Sequence, residues 1–301
     1  MLPLIPAYAD ASVGLRTTAA TAPQSLTVAT FNVEKAKTAG GRRSWKPRRK
    51  TVLDLLRRTK ADVVVLQEAN ASNYRIRNGT PVLTPSKFPA GWLAAKAGYR
   101  VVPHGRSDGV RHPEVSGPHI LYNPNRLSVD MSGRGPAYSA SVRDAVMTDR
   151  KSGRRFRLVG VHLANASRDR TGEEHRLRNL KLLDDDSAKR DEVTQRLPAI
   201  YLGDFNTFRA VDPPLVTREL RHRGLVDSVT VAKKRLNHRI NTYNGLRRDV
   251  AKSGRRIDQI WVPRGTAVHR WHQLVNVTKG RYVGTFASDH NPVLATIRLP
   301  R

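Results

Sequence analysis

The feature that most limits how this chain can fold is a repeated pairing of an apolar run with a polar residue on the inward side of the same strand. Side chains alternate faces along a strand. Leu26, Val28 and Thr30 therefore lead on to Asn32, Val64 and Leu66 to Glu68, Phe156 and Leu158 to His162, and Ile200 and Leu202 to Asp204. Asp258 shares parity with Ile260 and Val262. Carboxylates, amides and an imidazole on core-facing sides need partners, because burying them alone costs several kcal/mol or shifts their ionisation. The simplest joint solution is that they meet each other, a metal ion, or both. A composite active site at the ends of several strands is the expected result.

The rest of the chain alternates in the same way. Leu26–Phe31, Asp62–Leu66, Tyr99–Val102, His119–Tyr122, Leu127–Met131, Phe156–Leu163, Ala199–Leu202, Arg256–Val262 and Pro292–Leu299 read as strands. Asp62–Leu66 is continuously apolar and so is expected to be buried on both faces. Pro47 to Arg58 reads as a helix with Pro near its start and Val52, Leu55 and Leu56 as its apolar stripe. Phe88–Ala97 and the long polar stretch Glu173–Gln195, with Leu177, Leu180 and Leu183 on one side, read as further helices. Such a mixture predicts an α/β fold with helices covering sheets. No linker divides the 301 residues, so one domain over 26–301 is expected, preceded by an extension over 1–25.

Six short motifs occur in a fixed order: Thr30-Phe31-Asn32, Gln67-Glu68, Val161-His162-Leu163-Ala164-Asn165, Gly203-Asp204-Phe205-Asn206, Ile257-Asp258-Gln259 and Ser288-Asp289-His290. Each alone is an ordinary turn or core feature. As a set, from about Leu26 to Leu299, they resemble the endonuclease/exonuclease/phosphatase superfamily with its DNase I-like fold. The most specific are Gly203-Asp204-Phe205-Asn206 and Ser288-Asp289-His290, supported by Gln67-Glu68. The resemblance implies a four-layer α/β sandwich, with two mixed β-sheets packed face to face, helices outside and the site at one sheet end.

Oxygen donors without thiolates suit a hard divalent cation, Mg2+ first, with Mn2+ and Ca2+ as alternatives. Glu68 leads the ligand candidates, joined by Asn32 and Asp289, and the resemblance places the same three positions at the metal. His290 and Asp258 read as an acid–base pair, since a carboxylate beside an imidazole fixes its tautomer and stabilises the imidazolium. The resemblance implies that His290 helps activate the attacking water with Asp258 behind it. It also implies that Asp204 and Asn206 lie over the scissile phosphate, with Asp204 orienting the nucleophile or relaying protons and Asn206 binding a phosphate oxygen. Whether Asp204 or His290 is the base stays open at this point. Abasic-site endonucleases of the superfamily carry Tyr-x-Pro-Asn where this chain has His162-Leu163-Ala164-Asn165. The His is similar to the DNase I, sphingomyelinase and phosphoinositide-phosphatase branches, in which it donates to the phosphate or acts as acid toward the leaving group. Asn241-Thr242-Tyr243 resembles a Thr-aromatic element near the site, and is equally an ordinary strand start.

Charge supplies the substrate expectation. Lys and Arg number 54 against 25 Asp and Glu, a formal charge of +29, which concentrates polyanions and speeds their encounter. One cluster, Arg42, Arg43, Arg48 and Arg49 with Lys46, follows Asn32, and others span Arg150–Arg157, Lys233–Arg239 and Arg247–Arg256. The first four are the expected nucleic-acid contacts, because phosphate contacts supply sequence-independent affinity. Cysteine is absent, which excludes disulfides and thiol chemistry. No apolar run approaches a membrane span. Ala7-Tyr8-Ala9 has the small-x-small form of a signal-peptidase site but lacks a positive leader, so secretion or a cell-envelope location is the expectation, with the cytoplasm as the alternative. The favoured function is a divalent-metal-dependent phosphodiesterase, a nuclease acting on DNA and/or RNA with little sequence specificity, working as a monomer without an obligate protein partner. The alternative is a lipid-directed phosphodiesterase or phosphatase of the same fold, sphingomyelinase-like or phosphoinositide-phosphatase-like, at an anionic membrane surface, for which Trp271 beside His272 is the sole sequence candidate. A non-enzymatic protein with a decayed site is disfavoured, because each expected catalytic residue is present.

Overall fold

The structure, a computed structural model, describes residues 25–35, 44–70, 75–77, 80–82, 88–103, 117–131, 137–182, 184, 196–207, 214–253 and 255–300. The strands are β1 (Leu26–Asn32), β2 (Val63–Gln67), β3 (Arg75–Arg77), β4 (Thr80–Val82), β5 (Arg100–Val101), β6 (His119–Tyr122), β7 (Leu127–Val129), β8 (Ala137–Tyr138) and β9 (Val142–Asp149). They continue as β10 (Arg155–His162), β11 (Ala199–Asp204), β12 (Leu225–Asp227), β13 (Lys234–Leu236), β14 (Asp258–Pro263), β15 (Ala267–Gln273), β16 (Val277–Thr278), β17 (Arg281–Tyr282) and β18 (Val293–Arg298). The helices are α1 (Trp45–Thr59), α2 (Pro89–Ala97), α3 (Arg170–Leu180), α4 (Leu215–His222) and α5 (Ser228–Val231).

One mixed sheet runs β13-β15-β18-β1-β2-β6-β5 and the other β12-β14-β11-β10-β9-β7, with β8 also on β9. Their facing surfaces hold the largest apolar core, built from Val28, Val63, Val65, Phe156, Leu158, Ile200, Leu202, Ile260 and neighbours. On the outer side of the first sheet, Ala29, Phe31, Val64 and Leu66 pack under α1 and α2. On the outer side of the second, Val159, Val161, Tyr201 and Trp261 pack with Leu180, Val216 and Leu220 of α3 and α4. These four layers are the expected architecture. β2 is buried at every position, as its continuous apolar run requires. Gly160 brings the sheets close, since a Cβ there would lie 2.9 Å from Val65 Cγ1.

Several elements differ from the sequence expectation. α3 begins at Arg170 rather than near Glu173, because Asp169 caps it by accepting the Gly172 N–H at 3.0 Å. The stretch 185–195 expected to continue it lies outside the described residues, as do Leu183 and the extension up to residue 24. β9 and β15, each one strand in from the edge of its sheet, have no counterpart in the sequence reading. β9 carries buried Arg143 and Asp144, with Asp144 accepting from Arg157 of β10 at 2.5 Å, so its polar residues are paired across strands rather than set on a wet face. β15 breaks alternation at a register shift between Val268 and Arg270.

Candidate active site

β1 and β2 are parallel, as are β10 and β11, so their carboxyl ends lie at one end of the sandwich. β14 and β18 run antiparallel to β11 and β1 and start there. Inward parity delivers Asn32, His162, Asp204 and Asp258 to that end as expected. Glu68 arrives differently. Val64 and Leu66, which share its parity, face the helices, and it is Gln67 that continues the inward side, exchanging hydrogen bonds with Thr30. Glu68 has φ 61°, and this left-handed residue swings its carboxylate back over the strand ends. Gly203 is obligatory for a related reason. A Cβ there would meet Val161 O at 1.9 Å, so only glycine lets β11 run beside β10 into Asp204.

The side chains form one connected group. Asn32 Nδ2 donates to Glu68 Oε1 at 3.2 Å and to Asp204 Oδ2 at 3.1 Å, joining the two sheets. Asp204 Oδ1 accepts the Asn206 N–H at 3.0 Å, and Asn206 Nδ2 donates to Leu163 O at 2.9 Å. His290 Nδ1 lies 2.9 Å from Asp258 Oδ2, while its Nε2 stands 3.9 Å from Asp204 Oδ2. His162 Nε2 lies 3.9 Å from Glu68 Oε1. An open cleft of about 540 Å³ covers them, lined also by Lys35, Asn165, Arg168, Tyr243 and Arg255. Ser288 ties the two ends of the chain together: its hydroxyl donates to Asn32 O at 2.6 Å and accepts the His290 N–H at 3.1 Å. Thr242 Oγ1 accepts the N–H groups of Ile257 and Asp258, and the Tyr243 ring stands edge-on to His290 with centroids 5.1 Å apart. The Asn241-Thr242-Tyr243 element thus lies at the site. Lys35 has no signal in the sequence that singles it out, since it acts through its backbone N–H, which donates to Glu68 Oε2 at 2.9 Å. Ser288 belongs to the Ser288-Asp289-His290 motif, and its role as a tie through its hydroxyl is what the structure adds.

Burial and like charge set the ionisation. Burial raises the Asp204 carboxyl to about 7, helped by the Asp258 charge. Burial opposes a charged His290, but the Asp258 charge and hydrogen bond, with Asp204 and Asp289, outweigh it and lift the ring to about 10. His162 is lowered, first by burial, against the pull of Glu68, and further by His290. Asp289 is raised by burial and then by Glu34 and Glu68. That crowding of carboxylates, with oxygen donors alone, fits a hard divalent cation near Glu68 and Asp289. Asn32 turns its nitrogen to the carboxylates, while its oxygen accepts the Glu34 N–H at 3.0 Å and keeps a second lone pair that could face an ion. Asp204, Asp258 and His290 also bring ligand atoms within 4.8 Å of one another, but the ring nitrogen bonded to Asp258 marks them as a proton-handling group.

The expected nucleic-acid contacts do not hold as a set. Arg48 is 3% exposed and donates to the carbonyls of Val33, Glu34, Lys35 and Ala287. It is a brace under the site, and the signal was present: Arg48 shares a stripe with Val52 and Leu56 at spacing four. Arg49 lies over the Trp92 ring at 5.5 Å, and Arg42 and Arg43 lie outside the described residues. Trp271 is 1% exposed in the inter-sheet core, which removes the candidate membrane anchor.

The pattern of the endonuclease/exonuclease/phosphatase family matches residues 29–290. The chain belongs to this family. Solved structures agree on the fold. A functionally unknown conserved protein from Enterococcus faecalis V583 is 19% identical with a TM-score of 0.64, covering 91% of this chain and 100% of its own. A mannosyl-6-phosphatase from Bacteroides thetaiotaomicron VPI-5482 is 19% identical with a TM-score of 0.58, covering 90% and 99%. TDP2 of D. rerio, complexed with single-strand DNA product, is 16% identical with a TM-score of 0.56, covering 91% and 98%. No curated protein matches the sequence. Members of this family are hydrolytic phosphoesterases, generally dependent on divalent metal, and the described residues include a site that suits one.

Proposed function

We propose that this family member is a divalent-metal-dependent phosphodiesterase that hydrolyses DNA and/or RNA with little sequence specificity. The observation that carries the chemistry is the His290–Asp258 pair at 2.9 Å, with the ring's other nitrogen turned toward Asp204. With His290 held protonated by Asp258, the group poised near neutrality is Asp204, and a base works best when its pKa lies near the working pH. Asp204 takes the proton of the attacking water, Asn206 N–H fixing the carboxylate that receives it. The His290 imidazolium supplies positive charge where the phosphoryl oxygens gain negative charge. His162, across the cleft, donates toward the phosphate or the leaving oxygen. Glu68 and Asp289 would hold the cation, which when bound neutralises phosphoryl charge and stabilises the leaving oxyanion.

The formal charge of +29 supports a polyanionic substrate over a small phosphoester. Hydrolysis assays on plasmid DNA, RNA, a bis-aryl phosphodiester and sphingomyelin, each with magnesium and with chelator, test this. Magnesium-dependent cleavage of nucleic acid is expected; faster turnover of sphingomyelin than of any nucleic acid would overturn it.

A further inference from the structure

Most arginines of the basic clusters are committed within the fold. Arg155 pairs with Asp130 and Arg157 with Asp144, Arg154 donates to Leu299 O, and Arg248 lies over Phe286 while donating to Gly284 O. A group outside those clusters, apart from Lys234, is uncommitted and gathered on one surface. Registered pairing puts Lys234 of β13 beside Arg270 of β15, and Arg270 beside Thr296 of β18, so these side chains share one face. Arg298, two residues beyond Thr296, lies on that face too. It is the outer face of the first sheet, since Leu294, of the same parity, packs in the layer under α1. Arg58, in the last turn of α1, borders it, close enough that Arg270 and Arg58 both act on the His272 ring. Lys234, Arg270, Arg298 and Arg58 are exposed, and among the described residues none forms an ion pair with a carboxylate.

We infer that this outer sheet face is a second binding surface for a nucleic-acid backbone, separate from the cleft at the strand ends. The occupant follows from how the cations are spread. Neighbouring strands lie about 5 Å apart, and alternate residues on one strand about 7 Å apart. Charges set out in this way on a sheet do not converge on a single phosphate; they match a row of phosphates along a strand, whose neutralisation releases counterions. A lipid bilayer would engage such a face through apolar insertion as well as charge, yet none of the exposed large hydrophobics among the described residues belongs to β13, β15 or β18. The identity of the occupant rests on the nuclease reading above; the surface does not, because binding there needs no cleavage.

The test is the salt dependence of oligonucleotide binding, measured by fluorescence anisotropy on the full chain carrying Asp204→Asn, with and without Arg58→Gln, Lys234→Gln, Arg270→Gln and Arg298→Gln together. At about 0.7 per phosphate for single strands, losing four contacts should flatten the slope of log K against log salt by about 3 and weaken binding at least tenfold near 0.1 M salt. With Asp204 restored, the fourfold variant should still hydrolyse a bis-aryl phosphodiester at the parent rate, which shows that it is folded and its cleft intact. An unchanged slope and affinity would overturn the inference while leaving the nuclease reading standing. A parent chain that binds oligonucleotide through this face but cleaves neither DNA nor RNA would uphold the surface and sink the nuclease reading. Loss of binding to phosphatidylserine vesicles with oligonucleotide binding unaltered would assign the face to a membrane and overturn the proposal.

Discussion

At the scale of single residues, one carboxylate and one imidazole set the pH behaviour. Asp204 must be deprotonated to accept a proton, so activity should rise with pH through about 7, and it should fall again as His290 loses its proton toward about 10. A bell-shaped kcat profile with those limbs is expected. His290→Ala should lower kcat by about 10²–10⁴, with KM much less affected, and remove the alkaline limb; a KM effect with kcat untouched would make His290 a binding residue. Stability carries the same signature. The folded pKa of Asp204 stands above its ordinary value of 3.8, so between those pH values the native state binds more protons than the unfolded chain. Stability is then lost as pH rises through this window. In chelator, Asp204→Asn should therefore melt higher than the parent at pH 8 and close to it at pH 4, by calorimetry. A variant that melts lower at pH 8 would show that the hydrogen bonds to Asp204 outweigh its buried charge.

At the scale of elements, Gly160 and Arg48 show what the fold asks of its sequence. Gly160→Ala forces a methyl within 2.9 Å of the stiff Val65 side chain, which should cost about 1–3 kcal/mol by overpacking. Denaturation of the double variant with Val65→Ala should show less than the summed cost, since touching sites are not additive. Arg48→Met strips donors from four carbonyls at the base of the site; each buried acceptor left bare costs roughly 1–3 kcal/mol. Urea titration should report that loss while the salt dependence of nucleic-acid binding stays as in the parent. The strand-end motifs were legible in the sequence because a period of two survives wherever one face is core, as in β1, β10, β11 and β14. Glu68 was legible as a site residue but not in its path, because a single left-handed residue breaks the alternation. β9 and β15 were hidden by buried ion pairing and by a bulge. Charge alone makes Arg48 look like a surface contact, whereas its place on the helix stripe with Val52 and Leu56 buries it.

At the scale of the whole molecule, the site is a seam. Asn32 and Glu68 come from the first sheet, Asp204, His162 and Asp258 from the second, and Asp289 and His290 from the far end of the chain, bound back to Asn32 through Ser288. Glu68 and Asp289 are brought together only by the assembled sandwich, so a cation they share binds the native state and has no equivalent site in the unfolded chain. Binding of that kind stabilises by RT ln(1 + [L]/Kd), about 2.7 kcal/mol at a concentration 100 times Kd. Thermal unfolding of the inactive Asp204→Asn chain should accordingly shift upward by several degrees as magnesium or manganese is titrated in, and return with chelator. Glu68→Gln keeps the acceptor oxygen for Asn32, gives up the exposed bond from the Lys35 N–H and halves the carboxylate pair; it should abolish the shift while lowering the metal-free melting temperature only slightly. Removing a like charge beside Asp289 also offsets part of what the substitution loses. A metal-induced shift that survives in Glu68→Gln would place the cation elsewhere, to be sought next with Asp204 restored, where Asp204, Asp258 and His290 form the other set of donors.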